Sequence, residues 1–179
     1  MITNKPADDF NKANELLRSG RNQEALEIYE KLIGIHTSGD DFDFNFIVDS
    51  YRLFSNMGTA LKRLGRYPEA VKAYTLAIEN GGSIKASIWQ MRAEAHRNNS
   101  DIAAAIADLE KSLECDPESN VGLWNLVCYC ASATDWEHFE KYLFRFNQLY
   151  PEEMSDLLGD SDLDPVRQLS RFKEIVSKL

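Results

Sequence analysis

The sequence predicts an all-α protein, a stack of about four helix-turn-helix hairpins closed by a C-terminal capping helix. Three observations carry this reading. A small residue, a second small residue twelve places on and an aromatic or Leu four further recur as Ala13, Ala25 and Tyr29, as Gly58, Ala70 and Tyr74, and as Ala93, Ala105 and Leu109. Ala70 and Ala105 lie 35 positions apart, and Ala105 and Phe139 lie 34 apart; a period of that length marks stacked hairpins rather than one closed core. Turn residues interrupt each unit midway, at Ser19-Gly20-Arg21, Leu64-Gly65-Arg66, Asn99-Ser100-Asp101 and Ala133-Thr134-Asp135, where Gly, Ser, Thr and Asp supply helix caps.

The array spans residues 1–151, with units at about 6–36, 43–82, 84–117 and 119–151. In unit one, Ala13 and Ala25 let two helices cross closely, and Tyr29 and Leu32 fill space toward the next hairpin. An insertion of about eleven residues, His36 to Phe46, follows. With Asp40 or Asp41 as cap it lengthens the helix leading to Tyr51; exposed, its Phe42, Phe44 and Phe46 would instead mark a contact surface. Unit two sets Gly58 against Ala70 and fills with Tyr74 and Ala77; unit three repeats this with Ala93, Ala105 and Leu109. Units three and four stop at Asp116-Pro117 and Tyr150-Pro151, since proline ends a helix. Residues 152–179 read as an acidic linker followed by a capping helix. The linker, with Asp160, Asp162 and Asp164, is expected as a solvated spacer, the alternative being that it folds back into the hollow. Val166, Leu169, Phe172, Ile175 and Val176 form one apolar face that suits the cap.

Composition narrows the function classes. An apolar fraction of 44% and a charged fraction of 27% over 179 residues are those of a folded chain. The net charge of −9 argues against nucleic acid, because phosphate binding needs a basic footprint. No apolar run approaches the roughly 20 residues of a membrane span. The opening residues hold no secretion-signal core, so a cytoplasmic location is expected. Cys115, Cys128 and Cys130 are an odd number without metal-ligand spacing, which predicts buried reduced thiols.

From Phe54 through Gly58, Leu61, Gly65, Tyr67, Ala70, Tyr74 and Ala77, and again through Trp89, Ala93, Ala105 and Leu109, the chain resembles the tetratricopeptide repeat family. The resemblance covers roughly residues 6–151 and implies a right-handed superhelix whose hollow binds protein segments. Unit four departs from it, with Val127 and Phe139 where small residues are usual, which predicts a splayed hairpin. Family members that clamp chaperone C-termini use two Asn and three basic residues. Asn14 and Asn56 match, but Phe10, Ser87 and Met91 occupy the basic places, so that subtype is disfavoured. Asp162-Leu163-Asp164-Pro165-Val166-Arg167 and Arg171-Phe172 are similar to the tail of some bacterial members, although Leu169 and Ser170 replace its usual Asp-Pro.

In each first helix, residues about 100° from the partner-facing position look into the hollow. That face holds Phe10, Asn14 and Arg18, then Arg52, Asn56, Lys62 and Arg63, then Gln90, Glu94 and Arg97, then Trp124. A positive hollow on an acidic chain predicts a groove for an extended, acidic peptide or protein segment. Arg18, Arg52, Lys62, Arg63 and Arg97 would pair charge, Asn14, Asn56 and Gln90 would hold backbone, and Phe10 and Trp124 would anchor. The plainer alternative is that these side chains keep the hollow wet. A different class, a structural protein self-associating through the Phe-bearing insert or the open end of the stack, also fits. Catalysis is not predicted: His36, His96 and His138 are scattered over three units. No metal or cofactor is predicted either. Asp160-x-Asp162-x-Asp164 has Pro165 where a calcium loop needs Gly and Arg171 where it needs Glu.

Overall fold

The computed structural model describes residues 5–37 and 50–179. Helices pair in chain order: α1 (Lys5–Arg18) with α2 (Asn22–Thr37), α3 (Ser50–Arg63) with α4 (Tyr67–Glu79), α5 (Ala86–Asn98) with α6 (Ile102–Cys115), and α7 (Asn120–Ser132) with α8 (Trp136–Leu149). Each hairpin packs on the next, and two short helices, α9 (Met154–Gly159) and α10 (Ser170–Val176), follow. The predicted all-α stack is therefore what forms, with no strand among the described residues. The Asp40/Asp41 cap and the Phe42, Phe44 and Phe46 patch lie outside the described residues.

One turn geometry is used four times. The amide of Arg21, Arg66, Asp101 or Asp135 donates to the carbonyl of Leu16, Leu61, His96 or Cys130, in each case at 2.9 Å. The residue before each donor adopts a positive φ: 79° at Gly20, 75° at Gly65, 64° at Ser100 and 55° at Thr134. These bonds satisfy carbonyls that a helix end leaves orphaned. Units one and two use Gly for the left-handed residue, and Arg21 and Arg66 then pair with Glu24 and Glu69. Units three and four accept a side chain there and gain an Asp instead. Asp101 accepts from the amide of Ala104 at 3.1 Å and Asp135 from that of His138 at 3.3 Å.

Close crossing holds each hairpin together. Ala13, Ala25, Ala70, Ala93 and Ala105 are fully buried. At Gly58 the approach is tighter still, since a Cβ there would sit 2.8 Å from the Tyr74 ring. Tyr74 is itself buried, with its hydroxyl 3.1 Å from that of Thr59, and burial pushes its phenol up to about 12. Across unit three, Arg92 donates to both carboxylate oxygens of Asp108 at 2.8 and 2.6 Å and to Thr75 of α4 at 3.0 Å. The pair ties α5 to α6 and to the preceding hairpin.

Three expectations change. Leu169 is 43% exposed and α10 begins only at Ser170; Phe172 and Ile175 are buried, and Val166 reaches the core from a turn. Phe172 lies 5.5 Å from Phe139, so the bulky residue of unit four meets the cap. Of the three thiols, Cys115 is exposed while Cys128 and Cys130 are buried.

Two substitutions test this packing. Gly58→Ala gains about 1 kcal/mol of helix propensity but forces the Tyr74 ring aside, so a net loss of about 1–2 kcal/mol is expected in urea unfolding. Thr134→Gly relieves a left-handed β-branched residue and is expected to add about 1 kcal/mol in the same assay.

Candidate functional site

The first helices of the hairpins line one face, and two cavities open along it. The first, about 270 Å³, lies between α1 and α3 and is lined by Asn14, Leu17, Arg18, Arg52, Asn56 and Arg63. Between α5 and α7 lies the second, about 410 Å³, with Gln90, Met91, Glu94, Arg97, Val121 and Tyr129 among its lining. Residues from helices far apart in sequence thus meet because α1, α3, α5 and α7 are stacked in the same orientation.

The first cavity is organised by an amide network. Asn14 Oδ1 accepts from Tyr29 Oη at 2.7 Å and from Asn56 Nδ2 at 2.8 Å. Burial pushes the Tyr29 phenol up, so it stays a neutral donor. Arg63 donates to the Leu17 carbonyl at 2.7 Å, joining α3 to the end of α1. Arg52 lies 5.9 Å over the Phe10 ring. Phe10 is buried, 6.2 Å from Tyr29, and so forms the floor under Arg52 rather than an exposed anchor.

Further along, the basic side chains are paired. Lys62 forms an ion pair with Glu94 of the next unit. Gln90 Nε2 donates to the hydroxyls of Ser112 and Ser119, both at 3.0 Å, and so bridges α6 to the start of α7. Arg97 lies 5.3 Å over the Tyr129 ring and donates to Asp162 at 2.6 Å. Trp124 stands edge-on to Phe146 at 5.7 Å and donates its indole N–H to Asp160 at 2.7 Å.

The acidic segment is therefore not a solvated spacer. Residues Asp160 and Asp162 reach back onto α5 and α7, and Asp160 Oδ1 also accepts the Asp162 amide at 2.8 Å. Arg167 steadies this strap, donating to the carbonyls of Leu158 and Asp160 at 3.1 and 2.6 Å. Buried Leu157 and Leu163 pin it from below. Cys128 contributes one atom to a cluster with the two carboxylates, all within 4.8 Å of one another. Burial and these carboxylates push its thiol up to about 12, so it is protonated.

Of the ten residues singled out from sequence, Asn14, Arg18, Arg52, Asn56 and Arg63 share the first cavity, while Gln90 and Arg97 line the second. Lys62 bridges toward the second through Glu94, Phe10 lies beneath the first, and Trp124 is held by the strap. Sequence reasoning missed Tyr129, and it held the folded-back linker only as the alternative to a solvated spacer.

Two sequence profiles, both described as tetratricopeptide repeat, match residues 55–120 and 10–35. Among solved structures, a fragment of MamA from Desulfovibrio magneticus RS-1 is similar with a TM-score of 0.67 at 15% identity, covering 99% of this chain and 96% of that one. YrrB, titled a TPR protein with an unusual peptide-binding site, gives 0.71 at 14% identity, over 95% and 82%. A tetratricopeptide repeat protein from Parabacteroides merdae gives 0.73 at 18% identity, over 97% and 65%. No curated protein matches the chain. Among the described residues no helix is long and apolar enough to cross a membrane.

The strap contact can be tested directly. Asp160→Ala removes a charged acceptor from the Trp124 indole, and a loss of about 1–2 kcal/mol is expected in urea unfolding. The Trp124 indole proton resonance should shift toward its solvent-exposed position. Asp162→Ala, whose ion pair with Arg97 is more than a third exposed, should cost less, about 0.5 kcal/mol.

Proposed function

The chain belongs to the tetratricopeptide repeat family, and we propose that it is a protein-binding module whose groove takes an extended acidic segment of a partner. The family fold supports an interaction scaffold, and the acidic preference rests on charge. The carrying observation is the strap: two carboxylates of this chain, Asp160 and Asp162, sit on Trp124 and Arg97 of the predicted groove face. An aspartate from a partner would meet the same kinds of donor in the first cavity, where Arg18, Arg52 and Arg63 lie beside Asn14 and Asn56.

The chemistry of such capture follows from the wall. Guanidinium groups offer planar forks that match carboxylates, and stacking on Phe10 or Tyr129 lowers the entropy lost in fixing them. A concave, partly desolvated surface focuses the field of these cations against a chain of net charge −9. The strap closes the C-terminal end, so a partner segment would run from the first cavity toward Lys62 and Glu94.

Fluorescence anisotropy with a labelled polyglutamate peptide tests the reading. Arg18→Glu with Arg52→Glu is expected to weaken binding about tenfold or more at low salt with unchanged helix content. Equal affinity of parent and double variant would remove the groove hypothesis.

A further inference from the structure

Charge is distributed unevenly along this groove. Lys62 and Arg97 are each matched by a carboxylate, Glu94 and Asp162. Among the described residues no carboxylate forms an ion pair with Arg18, Arg52 or Arg63, and no acidic residue lines the cavity that holds them. Three cations that share one cavity repel one another, and the repulsion grows as solvent is excluded. An anion carrying more than one negative charge would relieve that repulsion.

The donors are also aimed. Asn14 Oδ1 accepts from both Tyr29 and Asn56, which leaves its own NH₂ as a donor. Arg63 is anchored by one N–H on the Leu17 carbonyl, leaving the rest of its fork, and Arg52 is held over Phe10. The cavity thus offers several N–H donors beside three cationic charges. A single carboxylate supplies one charge and two oxygens, too few for this set. A phosphoryl group supplies about −1.5 to −2 and three terminal oxygens, and Arg clusters recognise it by paired N–H bonds.

We propose that the cavity of Arg18, Arg52 and Arg63 binds a phosphorylated serine or threonine side chain within the acidic partner segment. The inference rests on the groove reading above and names the residue that its first cavity selects. Asn14 and Asn56 donate to phosphoryl oxygens, Arg52 and Arg63 form the fork contacts, and Arg18 closes the open side.

The test uses one short peptide of alternating Asp and Glu with a central Ser, Glu or phosphoserine, and inorganic phosphate as a competitor, measured calorimetrically near neutral pH. The phosphoserine peptide is expected to bind about tenfold or more tighter than the Glu peptide. Arg52→Lys, which keeps the charge and loses the fork, should weaken the phosphoserine peptide more than the Glu peptide and so abolish most of that preference. Arg18→Ala should lower affinity for both, and circular dichroism reports that each variant is folded. Equal affinity for the Glu and phosphoserine peptides overturns the phosphoryl selection and leaves the acidic groove standing. Binding of neither peptide overturns both readings. Inorganic phosphate competing as strongly as the phosphopeptide overturns a peptide partner as the source of the anion.

Discussion

The bare Cα of Gly58 against the Tyr74 ring is the constraint from which the rest of the architecture follows. Two helices can cross this closely only if one presents no side chain, and the buried alanines of the other units allow a slightly wider crossing. Close crossing brings the second helix near enough for its aromatic residue to span to the neighbour. Tyr29 does so with its hydroxyl as well as its ring, since the bond to Asn14 sets the amide that shapes the first cavity. Packing and site are therefore continuous: the residue that fills the core of unit one also orients a donor in the groove.

The four equivalent turns convert this pairwise contact into a repeat. Each reverses the chain through a left-handed residue with the same 2.9 Å bond, so the four hairpins share one turn geometry. Ser100 and Thr134 hold that conformation against their own preference, offset by the Asp cap that follows each. The polar network of Arg92 with Asp108 and Thr75 then ties unit three to unit two by charge-assisted bonds where apolar contacts alone would permit sliding.

How much of this was legible in the sequence depended on whether a feature repeats. Small residues at a fixed period, glycine in two turns and proline at two helix ends announce themselves locally, and they sufficed for the hairpin order and for the shared face of Asn14, Arg18, Arg52, Asn56 and Arg63. Phe10 counted by angle as a groove residue because its helix position faces the hollow; the reach of its ring into the core, under Arg52, is a rotamer property that spacing does not encode. Gln90 lines the second cavity, but its bonds to Ser112 and Ser119 needed the next hairpin in view. The strap was the least legible. Asp162 meets Arg97 across 65 residues, and an acidic stretch after the last repeat carries no periodicity to say which way it folds.

That strap also makes the two cavities along this face differ. Both present guanidinium over an aromatic ring, Arg52 on Phe10 and Arg97 on Tyr129, so the wall chemistry is the same. At the C-terminal end the carboxylate arrives with the chain, pre-positioned by Arg167 and by buried Leu157 and Leu163, and costs little entropy to hold. At the other end the cations of the first cavity have no such tethered partner among the described residues. In the proposed reading, a tail that occupies the Arg97 end leaves an incoming anion the end lined by Arg18, Arg52 and Arg63. On that reading, selectivity along the groove would arise from charge that is already matched as much as from charge that is offered.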